Sequence, residues 1–149
     1  MGMYSHPGYG KFRLCSSEGH PTDEYCQDMN KSFQIIDTSE AGDTFDDQVK
    51  IPQLLASWPR TDSTHLRLTH YRSNVFKAYT PMIFLNGFGM DKSPFQVNGT
   101  LNGEICAGFV VEGDLVTALA MLYCQSAVSL DLWNRDWNNS ALAWFNKLN

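Results

Sequence analysis

Two runs of alternating residues restrict this chain more than any other feature. Thr64–Tyr71 and Val75–Phe84 are separated by Arg72-Ser73-Asn74, and each repeats its side-chain character every second residue. That is the period of a half-buried β-strand, not of a helix. A three-residue loop brings Leu66, Leu68, His70, Phe76, Ala78 and Met82 to one face, and His65, Arg67, Tyr71, Lys77 and Tyr79 to the other. A two-residue loop would scramble that partition, because a one-residue slip exchanges the faces. The pattern predicts an antiparallel hairpin in a mainly-β chain.

A second hairpin is predicted over Glu104–Glu112 and Leu115–Cys124, turning at Gly113-Asp114. It is apolar on both faces, so it needs cover on both sides or a ligand on one. A second copy of the chain could supply such cover, which leaves a homodimer open. Upstream, Tyr9–Cys15 reads as a strand with Phe12 and Leu14 together, and Ser32–Ile36 reads as another. Glu24–Lys31 fits a helical turn or a strand, and the acidic Asp37–Asp47 reads as an exposed loop. Leu130, Trp133, Trp137, Ala141, Trp144 and Leu148 recur at three- and four-residue steps, predicting a helix over Leu130–Leu148 that Asn138-Asn139-Ser140 can divide. The whole, residues 1–149, reads as one domain: a small antiparallel up-and-down β-barrel with a C-terminal α-helix as lid or plug. A barrel of about eight strands is just wide enough to be filled by side chains or to hold one small ligand.

Composition removes several functions. The net charge of −5 lacks the basic face that phosphate-backbone binding needs, so no nucleic-acid partner is expected. No 18-residue apolar run is present to span a membrane as a helix. The four cysteines have neither CxxC nor Cys/His zinc spacing, so no metal or other cofactor is expected. Cys15 and Cys26 flank a polar, turn-rich stretch and are expected to bridge. Cys106 and Cys124 lie in apolar segments and read as buried thiols. In a regular hairpin turning at Gly113-Asp114, residues pair when their numbers sum to 227; Cys106 then opposes Met121, and Cys124 takes the other face. Sequons at Asn30, Asn98 and Asn138, with the Cys15–Cys26 bridge, favour a secretory or extracellular setting, although Met1–Pro7 carries no signal peptide.

Hydrolytic nucleophile motifs are absent: there is neither a G-x-S-x-G elbow nor an S-x-x-K. Among the histidines, His70 alternates with Leu66 and Leu68, placing an imidazole on an apolar face. It is either a hydrogen-bonded core histidine or a proton donor or acceptor in a ligand cavity. His65, on the polar face, reads as surface. Trp58, Tyr123, Phe109 and Phe76 are candidate cavity walls, each also readable as core.

The run His6-Pro7-Gly8-Tyr9-Gly10-Lys11-Phe12-Arg13-Leu14-Cys15, with Tyr25-Cys26, Trp58-Pro59-Arg60, Ser63-Thr64-His65-Leu66-Arg67-Leu68, Gly87-Phe88-Gly89-Met90-Asp91-Lys92, Phe109-Val110-Val111-Glu112 and Ala143-Trp144-Phe145-Asn146-Lys147-Leu148, resembles the lipocalin-like domain that follows the catalytic domain of fungal β-lactamase-type serine hydrolases. Gly10-Lys11-Phe12 stands where secreted lipocalins carry G-x-W. The resemblance implies a calycin-like barrel and a fungal source. Small stand-alone fungal proteins similar to this domain include hetero-Diels–Alderases of tropolone-sesquiterpenoid biosynthesis, which join a quinone-methide tropolone to a humulene-type terpene.

Two functional expectations follow. The first is a cofactor-free cyclase that positions apolar partners, with His70 as its proton or hydrogen-bond partner. The second is a non-catalytic ligand-binding module, or the C-terminal domain of a larger serine hydrolase. Both expect an apolar small molecule.

Overall fold

The first hairpin forms in the register that its alternation predicts. In a computed structural model that describes residues 2–19, 21–39, 51–99, 105–124 and 141–148, β5 (His65–Arg72) pairs antiparallel with β6 (Val75–Tyr79). Leu68 opposes Ala78 and His70 opposes Phe76. A bulge between His70 and Arg72 lets Arg72 meet Val75 across Ser73-Asn74, with Ser73 at φ 51°. Strand β6 stops at Tyr79, so Met82 does not join the shared face. Pro81 has no N–H to continue a ladder. It opens β7 (Pro81–Phe84), which leaves to pair with β8 (Phe95–Asn98).

The remaining strands complete a nearly closed barrel. They are β1 (Met3–His6), β2 (Gly10–Arg13), β3 (Cys15–Ser16), β4 (Gln53–Ser57), β9 (Ile105–Glu112), β10 (Leu115–Tyr123) and β11 (Ala143–Leu148). The sheet order is β2-β1-β11-β10-β9-β6-β5-β4-β3, antiparallel throughout. Its two edge strands are consecutive in the chain, separated only by Leu14. Tyr9–Cys15 is therefore not one straight strand but one bent at Leu14, with a first half on β1 and a second on β4. The bonds on either side follow suit: Leu14 N donates to Gly2 O, and Ser17 N donates to Gln53 O.

The C-terminal segment corrects the expected helix. Ala143–Leu148 is strand β11, inserted between β10 and β1, with Phe145 opposite Leu119 and Lys147 opposite Tyr4. Ala143 and Phe145 face the core at period two, and this ladder outweighs the three- and four-residue spacing of Trp144 and Leu148. Residues 125–140, which hold the rest of the expected helix, lie outside the described residues.

The helix is earlier, at α1 (Glu24–Asp37), and includes Ser32–Ile36, which reads as a strand in sequence. Cys26, Met29, Phe33 and Ile36 recur at helical spacing and are its buried face. Asp23 caps it by accepting from Cys26 N, and Thr38 closes it by donating to Gln34 O. The apolar face lies on the outside of the barrel with Cys15, Leu55 and Ile83, and the Cys15–Cys26 disulfide ties α1 to β3 there.

Cys106 and Cys124 are also a disulfide, not free thiols. The second hairpin starts in the expected register, with Leu115 opposite Glu112 and Val116 opposite Val111. A bulge at Thr117 then shifts every later pair by one. Cys106 now opposes Leu122, so Cys124, two residues on, shares its face. Deletion of Thr117 should straighten the ladder yet keep Cys106 opposite Leu122, so thiol titration of the folded variant should still find none; two free thiols would show that the bulge itself, and not the pairing beyond it, holds the bridge. Replacing Cys15 and Cys26 together by Ser should cost about 3 kcal/mol in denaturant melts, because the bridge closes a short loop.

Candidate functional site

The register decides which side chains point into the barrel. Leu54 opposes Leu68, Ala56 opposes Leu66, and Phe76 opposes Ala107. These join Tyr4, Phe12, Trp58, Ala78, Phe109, Leu119, Met121 and Phe145 in one inner cluster. Rings connect along its length. Phe145 meets His6 at 5.5 Å, Trp58 at 5.8 Å and Phe12 at 4.9 Å between centroids. Phe12 meets Tyr4 at 6.0 Å, Tyr4 meets Phe109 at 6.1 Å, and Phe109 meets Phe76 at 5.5 Å. Phe76 meets His70 at 5.3 Å. These separations are those of favourable aromatic pairs, and the middle of the barrel is packed.

The two ends differ. Trp58 is 9% exposed, and its indole N–H donates to Tyr9 O at 2.9 Å. The Arg60 guanidinium lies over the rings of Tyr9 and Trp58, 4.8 and 5.4 Å from their centroids. His6 Nδ1 accepts from Gly8 N and Tyr9 N, which holds the turn beneath. This end is plugged by its own side chains.

At the other end, Leu54, His70, Phe76, Phe109 and Val116 face inward yet stay partly exposed, above a buried Tyr4. They form a shallow mouth whose walls are apolar. His70 Nε2 lies 2.8 Å from Ser73 O. A carbonyl only accepts, so Nε2 carries the proton and a neutral His70 presents Nδ1 bare. Burial pushes the Tyr4 phenol above its ordinary value, so it stays a neutral O–H.

The structure therefore brings together His70, Phe76 and Phe109. It separates Trp58, which lies beyond the other end of the β4–β5 ladder from His70. Tyr123 is 47% exposed and opposes Ile105, about 13 Å along the strand from the Leu119–Phe109 pair. Tyr4, Leu54, Val116 and Lys147 were not evident as site residues in the sequence. The alternation of Tyr4 and His6 was a usable signal for Tyr4. Lys147 was hidden by the apparent helical period. Of the sequons, Asn98 is exposed, whereas Asn30 is half-buried on α1 and its amide donates to Ser16 O. Asn138 lies outside the described residues. No helix among the described residues is long and apolar enough to cross a membrane.

In comparisons with known proteins, no family model matches the chain, and no curated protein or solved structure matches it.

A second titratable cluster lies on the outer wall beneath α1. Arg67 is 4% exposed, pairs with Asp37 at 2.6 Å, and lies 4.6 Å from the Phe33 ring centroid. His65 is half-buried rather than on the open surface, edge-on to Phe33 and hydrogen-bonded to Thr64 Oγ1. Burial holds its pKa below the ordinary 6.5. The unfolded chain therefore takes up this proton first, and stability falls as pH drops through that ordinary value. Melting temperature should decline on acidification from about pH 8 to about pH 5, around the ordinary His pKa of about 6.5. A His65→Gln variant should show a shallower decline; an identical slope would remove His65 as its source.

Proposed function

We propose that this barrel binds an apolar small molecule at the mouth around His70, Phe76 and Phe109, and acts there as a cofactor-free cyclase. The observation that carries the reading is the combination of inward-facing apolar side chains left partly exposed with an imidazole whose bare nitrogen adjoins them. A buried core would have covered those rings, and a plain surface would not have turned them inward. The reaction class comes from the resemblance: an intermolecular hetero-Diels–Alder reaction between a tropolone quinone methide and a humulene-type terpene.

Such a cycloaddition forms one carbon–carbon and one carbon–oxygen bond, and no atom leaves. Its barrier is lowered by alignment, and holding two reactants in a near-attack pose supplies roughly 7–11 kcal/mol. Phe76 and Phe109, packed edge to face, offer aromatic surface for flat, unsaturated partners. His70 Nδ1 can take the enol O–H proton of a hydroxymethyl-substituted precursor while the C–O bond of its hydroxymethyl group breaks and hydroxide leaves, so that one water is lost as the heterodiene forms. The two disulfides fit an oxidising compartment.

The packed interior favours the second reading in one respect. A ligand would occupy the mouth and not the full barrel, which suits a binding module as well as an enzyme. Turnover separates them. With a tropolone and hydroxylated humulene pair, His70→Ala should lower kcat on the order of 100-fold while its melting temperature changes little. Phe109→Ala should mainly raise KM. Trp58→Ala, at the plugged end, should instead cost about 3–5 kcal/mol of stability. An unchanged rate for His70→Ala would remove the catalytic role. Wild-type binding of the pair without turnover would leave the module.

A further inference from the structure

The inner face of the mouth carries a charge that an apolar ligand alone does not use. Lys147 lies directly opposite Tyr4 across the β1–β11 ladder, so the two side chains share a face, and Tyr4 is inside the barrel. Lys147 is only partly exposed, and its stem runs over Gly2. A Cβ added at Gly2 would lie 2.9 Å from Lys147 Cε and 3.5 Å from Cγ, so the missing side chain makes room for the lysine. The ion pairs among the described residues are Arg13–Asp23 and Arg67–Asp37, neither of which involves Lys147. Beside it, Tyr4 is 3% exposed, and its hydroxyl makes no hydrogen bond with any described residue. In a chain of net charge −5, a cation and the phenol O–H of a buried tyrosine share this inner face with no partner among the described residues. Both are donors, and both suit an anionic oxygen.

We propose that the ligand of this mouth is an amphipathic acid, whose anionic oxygen is held by the Lys147 ammonium and the Tyr4 hydroxyl while its apolar body lies on Phe76 and Phe109. This rests on the reading of the mouth as a ligand site. The shared chemistry is an acidic oxygen on an apolar skeleton, and a carboxylate or an acidic enol such as a tropolone ring would each provide it. The arrangement also orients the ligand: the acid end is fixed at β1 and β11, and the apolar end reaches across to His70 on β5.

Calorimetric titration of the full chain near neutral pH tests it with dodecanoate, dodecanol, dodecyltrimethylammonium and an alkyl-substituted tropolone. Dodecanoate or the tropolone should bind at least about ten-fold tighter than dodecanol, as expected for a partly desolvated charge-assisted hydrogen bond. The ammonium probe should be the weakest. Whichever acid is preferred identifies the source of the anionic oxygen. Lys147→Met should erase the preference for acid over alcohol while retaining alcohol binding, and Lys147→Arg should keep it. Tyr4→Phe should weaken the acid several-fold and leave the alcohol unchanged, with melting curves confirming that each variant is folded. Equal affinity of acid and alcohol in the wild type, or a preference that survives Lys147→Met, overturns the anionic site but leaves an apolar mouth. Failure of every probe to bind removes the mouth itself and the inference with it.

Discussion

Inside and outside are defined in this molecule by the bend at Leu14. One strand gives its first half to β1 and its second to β4, and among the described strands this is where the two ends of the sheet come together. Leu14 is 1% exposed, so the bend is held by burial at the corner. Once the ends meet, the two-residue period of every strand becomes a choice between interior and exterior. Large inner rings then fit because small residues face them: Ala56, Ala78, Ala107 and Ala143 give the space that Phe12, Trp58, Phe76 and Phe145 fill.

The exterior is treated unequally around the ring. Where β3 and β4 turn Cys15 and Leu55 outward, α1 covers them, with Arg67 of β5 paired to Asp37 near the end of the helix. The Cys15–Cys26 bridge joins the helix to the strand at the bend, so closure and cover share one covalent point. On another part of the outer surface, Cys106–Cys124 and Val75 form a smaller apolar cluster with Leu122. Its disulfide needs Thr117 left out of the pairing, since a ladder that paired Thr117 would send the sulfurs to opposite faces.

The sequence was legible where one local period matched the buried face. The β5–β6 register follows from Leu66, Leu68, Phe76 and Ala78 alone, and the Cys15–Cys26 pairing from its flanking polar loop. It was illegible where a tertiary event overrode local pattern. Phe33 and Ile36 sit in an apolar run that suits a strand equally well, and only the packing of Cys26 and Met29 beside them distinguishes a helix. Trp144 and Leu148 fall on a helical spacing while their neighbours Ala143 and Phe145 pair in a sheet. A bulge leaves little local signature, so the skip in pairing at Thr117 hid the fact that two cysteines share a face. For the candidate site, His70, Phe76 and Phe109 could be named from alternation, but their separation from Trp58 required knowing which strand end lies at which barrel end.

That separation gives the barrel a polarity that matters for chemistry. The Trp58, Tyr9 and Arg60 end is closed by stacking and by an indole hydrogen bond, so a ligand approaching the described barrel meets its open side chains at the His70 end. Below the mouth, the ring contacts continue from Tyr4 through Phe12 to Phe145 and Trp58, a packed floor that resists deformation. A shallow site on such a floor cannot adapt to its ligand by repacking its base. On the proposed reading, selectivity comes from the rim, where the groups of distinct chemistry are His70 on one side and Lys147 with Tyr4 on the other. A ligand matched to both would be held across the opening with a fixed direction, and fixed direction is what a reaction governed by alignment requires.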